Sequence, residues 1–190
     1  QGKRCKEITH KLLSFARKTD MQMQSVRINE MIEEVVAISD KASYTGISIN
    51  TDLDKTTPTV YGSQTEIQQV LLNLINNALY AMKKKGGKID ITTRLKDRHI
   101  LIVVEDDGPG IPKANLDRIF DPFFTTKPVG EGNGLGLSIC FGIVQKMGGE
   151  IDVSSTINVG TRFDIRFPLK NSITSKAEDL PVETSTNAGE

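Results

Sequence analysis

The order of helix and strand signals constrains the fold of this chain more than any other feature. Residues 88–95 and 99–105 have the character of two strands, and the short connection Lys96-Asp97-Arg98 predicts that they form a hairpin. A second hairpin is predicted from residues 150–154 and 161–167, and an alternating strand from residues 47–53. Helices are predicted at residues 29–43, 63–85, 113–119 and 134–147. Because helices and strands fall largely into separate groups, we expect a two-layer α/β sandwich with the helices on one face of the sheet.

Two of these helices begin with specific signals. Asn29 is a favourable N-cap for the first helix. Ser63 and Glu66 have the spacing of a capping box, which predicts that the second helix begins directly after Ser63. The same pattern predicts that the Glu66 side chain acts as a cap.

The composition excludes several classes of protein. The chain has 190 residues, and its 24 Lys and Arg are balanced by 24 Asp and Glu, which argues against nucleic acid as a partner. Cys5 and Cys140 match neither a disulfide framework nor a metal-ligand spacing, and they favour a reducing, cytoplasmic location. No apolar stretch is long enough to span a bilayer, so we expect no direct membrane contact. The start at Gln1 indicates a piece of a longer protein.

The chain divides into four parts by its residue pattern. Residues 1–20 have helical spacing without an apolar partner nearby, and residues 21–25 are a polar linker. Residues 26–170 hold the elements that can form a core. Residues 171–190 are rich in Ser, Thr and Glu and poor in apolar residues, which predicts a disordered tail.

Two segments offer oxygen atoms to a ligand. Asn73 and Asn77 lie four residues apart and therefore on one helix face, where an amide oxygen would suit a hard cation such as Mg²⁺. Asp106 follows a very apolar strand and opens a glycine-rich turn at residues 106–111, where its carboxylate can accept from an exocyclic amine. Taken alone, the asparagines could equally face solvent, and the turn could be an ordinary β-turn.

Two further segments resemble a lid and a phosphate site. Residues 120–127 hold three of the seven phenylalanines without helix or strand period, which is typical of a hinged lid or of a small satellite core. Gly132, Gly134 and Gly136 alternate just before a helix, and free N–H groups at a helix N-terminus suit a phosphate. A lone glycine-rich loop is weak evidence, since this one is neither a P-loop nor a dinucleotide fingerprint.

In their order and spacing, the four segments resemble the N, G1, F and G2 boxes of the catalytic ATP-binding domain of sensor histidine kinases from two-component systems. The N box resembles residues 73–82, and the other three resemble residues 106–111, 120–127 and 132–137. The residues of the N and F boxes are similar to those of the nitrogen-regulation-type subgroup of these kinases. The resemblance covers about residues 1–168. It implies the α+β fold shared by histidine kinases, gyrases and heat-shock chaperones, with a mixed, mostly antiparallel sheet and helices on one face.

The resemblance also implies roles for individual residues. Asn77 would hold Mg²⁺, Asp106 would accept from the adenine amino group, and residues 120–133 would form an ATP lid. Asn73, Lys127 and Arg118 are implied in catalysis, the two basic residues by neutralising phosphate charge. The complete set of implied ATP-binding residues is Asn73, Asn77, Tyr80, Asp106, Gly108, Gly110, Ile111, Phe120, Thr125, Thr126, Lys127, Gly132, Asn133, Gly134, Leu135, Gly136, Leu137 and Thr161.

The identity of residue 73 indicates whether transfer of the phosphoryl group or hydrolysis of ATP is expected. Related ATPases of the gyrase, mismatch-repair and chaperone types place a glutamate one turn before the metal-binding asparagine, where it activates water. Here that position holds Asn73, whose amide lacks the necessary basicity. The resemblance therefore implies transfer of the γ-phosphoryl group to a histidine. A degenerate nucleotide-binding signalling module without transfer remains the alternative.

The resemblance implies partners as well. Residues 1–20 are similar to the second helix of a dimerisation and phosphoacceptor hairpin. Neither His10 nor His99 has the context of the family's acceptor motif, so we expect the acceptor histidine to precede Gln1. The implied partners are that hairpin, a second copy of the protein, and the receiver domain of a response regulator.

Overall fold

The computed structural model describes residues 22–41 and 46–169. The helices in this part of the chain are α1 (Ile28–Lys41), α2 (Gln64–Met82), α3 (Lys113–Leu116) and α4 (Gly136–Lys146). The strands are β1 (Gln24–Val26), β2 (Ile47–Leu53), β3 (Val60–Gly62), β4 (Gly87–Lys96), β5 (His99–Asp106), β6 (Glu150–Thr156) and β7 (Gly160–Pro168). The helix predicted in residues 1–20 and the tail predicted at residues 171–190 lie outside the described residues.

Five strands form one sheet in the order β2-β4-β5-β7-β6. Strands β4 and β5 form the predicted antiparallel hairpin, with Ile91 opposite Val104. Strands β6 and β7 form the second one, with Val153 opposite Phe163. Strand β2 adds to the edge parallel to β4. The sheet is therefore mixed and mostly antiparallel, and β5 lies at its centre.

One face of this sheet carries the hydrophobic core. Alternate residues of a strand point to the same face, and Ile100, Ile102 and Val104 of β5 belong to the same buried cluster as Leu71 and Ile75 of α2. Residues of α1 and α4 join that cluster as well. Fully burying each such aliphatic side chain contributes about 1.5–3 kcal/mol to folding. The helices thus cover one face, and the predicted two-layer sandwich is confirmed.

Helix α1 begins differently from its predicted start. Asn29 lies inside the helix and does not cap it, because its side chain reaches the sheet. Its Nδ2 donates to the Asp54 carbonyl at 2.9 Å, and its Oδ1 accepts from the Thr93 hydroxyl at 2.9 Å. Thr93 is completely buried, so its hydroxyl needs such a partner. The N-cap prediction for Asn29 is wrong because a long-range contact uses the side chain.

Helix α2 begins as predicted, but only half of the capping box forms. Ser63 is the N-cap, and its Oγ accepts from the Glu66 backbone N–H at 3.4 Å. The Glu66 carboxylate instead pairs with Lys146 Nζ at 3.2 Å, at the end of α4. The prediction for the Glu66 side chain is therefore wrong, since the carboxylate links the two helices.

Sequence patterns missed a second, two-stranded sheet. Strands β1 and β3 pair antiparallel, with the buried Val26 opposite the buried Val60. Gln24 and Ser25, which were predicted to lie in a linker, belong to β1. Strands of three residues are too short to show a period. Among the helices of residues 22–41 and 46–169, none has the length and apolar character needed to cross a membrane.

Candidate functional site

A large cleft brings the four sequence segments together. Its volume is about 1580 Å³, and it is lined by α2, the turn after β5, the segment between α3 and α4, and the first turn of α4. Ligand pockets commonly measure about 300–1,000 Å³. The cleft therefore has room for a ligand of nucleotide size.

Asp106 forms one wall of this cleft at the end of the central strand. Its half-buried carboxylate accepts from the Gly108 backbone N–H at 2.9 Å and from the backbone N–H of Thr161. Burial raises the pKa of Asp106 above its ordinary value, and the two hydrogen bonds oppose that rise. The backbone thus holds this carboxylate in place at the wall of the cleft.

The two glycines of the following turn are required by close contacts. A Cβ atom on Gly108 would lie 2.7 Å from Asp106 Oδ1. Gly110 has a φ of +74°, and a Cβ atom there would lie 2.2 Å from the Thr156 carbonyl oxygen. Glycine at position 110 therefore lets the turn pack against the β6–β7 hairpin, and glycine at position 108 leaves room for the Asp106 carboxylate.

The tip of the β6–β7 hairpin holds the turn. The Ile111 N–H donates to Ser155 Oγ at 2.8 Å, and the Asn158 N–H donates to the Pro109 carbonyl at 2.9 Å. Thr161 is buried, lines the cleft, and places its Oγ1 3.0 Å from Ser155 Oγ. Sequence reasoning missed Ser155 and Asn158, because they lie more than forty residues along the chain from the turn that they contact.

Helix α2 supplies the amides that the i, i+4 spacing predicts on one face. Asn73 Nδ2 donates to the Gly136 carbonyl at 3.3 Å, which ties the first turn of α4 to α2. Asn77 Oδ1 accepts from Lys127 Nζ at 3.1 Å. Burial, together with the nearby charge of Lys83, lowers the pKa of Lys127 below its ordinary value.

Tyr80 connects α2 to the segment that the resemblance identifies as a lid. Its hydroxyl donates to the Glu131 carboxylate, which also accepts from Lys83 Nζ at 2.8 Å. The hydrogen bond to Glu131 raises the pKa of Tyr80. The ammonium groups of Lys83 and Lys127 lie 4.0 and 4.1 Å from the centre of the Tyr80 ring. We refer to Tyr80, Lys83 and Glu131 as the lid latch.

The segment between α3 and α4 also depends on a close contact at a glycine. Gly134 has a φ of +67°, and a Cβ atom there would lie 2.3 Å from the Phe123 carbonyl carbon. The Phe123 N–H donates to the Gly134 carbonyl at 2.8 Å. No side chain caps α4 at Leu135, and Gly136 and Leu137 line the cleft. The helix thus offers its N-terminal dipole to an anion there.

Most of the predicted site residues lie in the cleft. Those that line it are Asn73, Asn77, Tyr80, Asp106, Gly108, Gly110, Ile111, Thr125, Thr126, Lys127, Gly132, Asn133, Gly134, Gly136, Leu137 and Thr161. The cleft thus brings these residues together, and their roles in ATP binding stay predictions.

Three predicted residues are not brought to the cleft. The Arg118 guanidinium lies 4.8 Å from the centre of the Phe124 ring and 3.7 Å from the Asp121 carboxylate. The Phe120 ring packs against the Phe141 ring at 5.5 Å, and Leu135 is buried. Their side chains pack elsewhere in this arrangement, and their roles in ATP binding and catalysis stay predictions.

The donor set fits a magnesium–nucleotide complex better than a metal held by protein alone. Within the described ranges, no group of three or more His, Cys, Asp or Glu side chains could hold a metal ion. Mg²⁺ usually keeps several waters and takes one or two protein oxygens together with substrate phosphates. Asn77 Oδ1 already accepts from the ammonium of Lys127, so this oxygen is placed to bind a cation.

Comparison with known proteins agrees with this geometry. The family described as "Histidine kinase-, DNA gyrase B-, and HSP90-like ATPase" matches residues 62–171. Sporulation kinase A of Bacillus subtilis (strain 168) is 38% identical over 146 residues, which cover 76% of this chain and 24% of that protein. The catalytic domain of histidine kinase ThkA has a TM-score of 0.69 and 36% identity, covering 78% of this chain and 96% of that one.

A second solved structure covers more of the chain. Histidine kinase ThkA in complex with the response regulator protein TrrA has a TM-score of 0.73 and 30% identity, covering 90% of this chain and 48% of that one. The chain therefore belongs to the histidine kinase-, DNA gyrase B- and HSP90-like ATPase family, as a catalytic domain of the sensor histidine kinase type. The chain spans about a quarter of the length of sporulation kinase A. Assignment to the nitrogen-regulation-type subgroup stays a prediction.

Proposed function

We propose that this chain binds ATP with Mg²⁺ in the cleft and transfers the γ-phosphoryl group to a histidine on a helix hairpin of the same protein. One observation carries the proposal. A single cleft joins the acceptor carboxylate of Asp106 to the groups suited to phosphates and Mg²⁺, namely Asn77, Lys127 and the N-terminus of α4.

Each of these groups has a role that follows from its contacts. Asp106, whose carboxylate the Gly108 N–H holds in place, would accept a hydrogen bond from the base, and Asn73 holds the first turn of α4 in place for the phosphates. Lys127 brings positive charge to the same region. Mg²⁺, when bound at Asn77, would neutralise phosphate charge. Positioning and charge stabilisation supply most of the catalysis in phosphoryl transfer.

The contacts of α2 favour transfer over hydrolysis. Glu66 is the only acidic residue in the sequence of α2, and its carboxylate pairs with Lys146. Asn73 uses its amide as a donor to Gly136. Glu66 does not line the cleft, and the amide of Asn73 lacks the basicity to activate water, so an external histidine is the better acceptor.

The similar proteins support the proposed partners. Those relatives are named kinases, and ThkA is described in complex with a response regulator. We accordingly propose a cytoplasmic kinase that dimerises through its acceptor hairpin and passes the phosphoryl group to a receiver domain. A degenerate nucleotide-binding module is the competing function.

Phosphorylation in trans tests the proposal. The chain is incubated with γ-labelled ATP, Mg²⁺ and a supplied acceptor hairpin, and we expect acid-labile phosphate on the hairpin. Calorimetry should show that Asp106→Asn abolishes ATP binding and that Asn77→Ala removes its Mg²⁺ dependence. Gln69→Ala, at an exposed position of α2, is the control and should change neither. Tight ATP binding without transfer to the hairpin would favour the degenerate module.

A further inference from the structure

Ser155 makes three hydrogen bonds with one hydroxyl group. It accepts from the Ile111 backbone N–H at 2.8 Å. It also lies 2.8 Å from the Gly160 carbonyl oxygen and 3.0 Å from Thr161 Oγ1. The side chain thus connects the turn after β5, the end of the β6–β7 hairpin and a residue that lines the cleft.

The direction of each hydrogen bond follows from elementary chemistry. A serine hydroxyl has one proton and two acceptor lone pairs. A carbonyl oxygen cannot donate, so the proton of Ser155 goes to Gly160. The Ile111 N–H takes one lone pair. In the hydrogen bond between the two hydroxyl groups, Thr161 must therefore be the donor and Ser155 the acceptor.

This assignment determines what Thr161 offers to the cleft. Its proton is directed to Ser155, so Oγ1 has only lone pairs for a ligand. Thr161 is paired with Asp106 across the β5–β7 ladder, and the Asp106 carboxylate is a second acceptor. An exocyclic amine is complementary to two neighbouring acceptors, whereas a carbonyl oxygen in the same position is not.

We propose that Ser155 is a specificity-determining positioning residue, which holds the Thr161 hydroxyl as an acceptor and thereby favours a 6-amino purine over a 6-oxo purine. The inference deepens the proposed function and rests on nucleotide binding in this cleft. In a Ser155→Ala variant, the Thr161 proton loses its acceptor and becomes free to donate to a carbonyl oxygen. Discrimination against the 6-oxo base should then weaken.

Calorimetry with ADP and IDP tests this inference. The two nucleotides differ only in the group at position 6 of the purine, which is amino in ADP and oxo in IDP, and in the proton that IDP carries on the adjacent ring nitrogen. The quantity of interest is the ratio of their Kd values. We expect Ser155→Ala to lower the preference for ADP about five- to tenfold, which corresponds to the typical net free energy of one hydrogen bond. Ser155→Thr retains the hydroxyl and should keep the preference. Ser154→Ala, at the exposed neighbouring position on β6, is the matched control.

Thr161→Val keeps the test decisive if Ser155→Ala unfolds, and a double-mutant cycle extends it if both single variants fold. Thr161→Val removes the hydroxyl that discriminates, so it should lower the ADP preference by a similar factor. The combination with Ser155→Ala should add nothing, because both changes act through one group. Equal weakening of ADP and IDP by both single variants would show a merely structural role and overturn the inference alone. Failure of the unsubstituted protein to bind ADP would contradict the proposed function and the inference with it.

Discussion

Lys127 of the lid donates from Nζ to Asn77 Oδ1 of α2 at 3.1 Å. The two residues are fifty positions apart in the sequence, and the contact places an ammonium group on the oxygen that we assign to Mg²⁺. Two cations that share one oxygen repel each other. Binding of Mg²⁺ with ATP should therefore displace Lys127 from Asn77 towards the phosphates.

Lys127 makes ATP affinity sensitive to alkaline pH. Because burial lowers the pKa of Lys127 from its ordinary 10.5, its positive charge is lost as pH rises through that lowered value. ATP affinity should fall over the same range. Lys127→Arg stays charged and should remove this decline while retaining binding. Calorimetric titrations from about pH 7 upwards measure the effect.

Removal of the positive charge tests the same residue in catalysis. Lys127→Met should lower phosphotransfer about 100-fold, the typical cost of losing one group that stabilises transition-state charge. Lys113→Met, at an exposed position at the start of α3, is the control and should leave the rate unchanged. In the alkaline calorimetric titrations, an equal fall of ATP affinity in Lys127→Arg would show that a group other than Lys127 titrates.

The lid latch should govern how readily the lid opens. Glu131→Gln removes the charge that holds both Tyr80 and Lys83, so hydrogen exchange of residues 125–133 should accelerate several-fold. The melting temperature should not change, because the latch lies at the surface. Glu30→Gln, which breaks an exposed ion pair with Arg27, is the matched control. Unchanged exchange in the lid would show that Glu131 does not hold it.

Asp106 should reduce stability at neutral pH while it serves nucleotide binding. Because the pKa of Asp106 is raised in the folded chain, that chain binds more protons than the unfolded chain at pH values between 3.8 and the raised pKa. Stability therefore falls as pH rises through that window, and the burial cost persists above it. Asp106→Asn should melt at or above the temperature of the unsubstituted protein at neutral pH. That advantage should shrink as pH approaches 3.8.

An exposed acidic residue of α1 offers the control for this prediction. Glu33 does not line the cleft, and Glu33→Gln should leave both the pH profile and ATP binding unchanged. Thermal unfolding followed by circular dichroism measures both variants. A lower melting temperature for Asp106→Asn at neutral pH would contradict the prediction.

Two glycines near the start and middle of α4 should respond in opposite directions to the same substitution. Gly134→Ala forces a positive φ on alanine and a contact with the Phe123 backbone, so it should destabilise by about 1–3 kcal/mol and weaken ATP binding. Gly142→Ala lies within the helix with open space around the new Cβ, and it should stabilise by about 0.5–1 kcal/mol. Chemical denaturation measures both free energies. Equal effects would show that the close contact at Gly134 is relieved at no cost.

Local patterns were sufficient for the large elements. Residues 47–53 were predicted as a strand and form β2 with the same bounds, because an alternating pattern of seven residues is readable on its own. The hairpin of β4 and β5 was predicted for the same reason. The short strands β1 and β3 were missed, since their pairing joins residues 34 to 38 positions apart in the sequence, and neither strand is long enough to show a period.

The candidate site divides in a similar way. The sequence by itself determined which residue types could hold a base, a cation and phosphates, because their motifs are short and their spacing is set by helix and turn geometry. Only the tertiary structure decided which of them meet. It directs Lys127 to Asn77, ties Asn73 to Gly136, and brings Ser155 to the turn at Ile111. These contacts depend on how distant strands and helices pack, and packing is a property of the whole core that no local pattern contains.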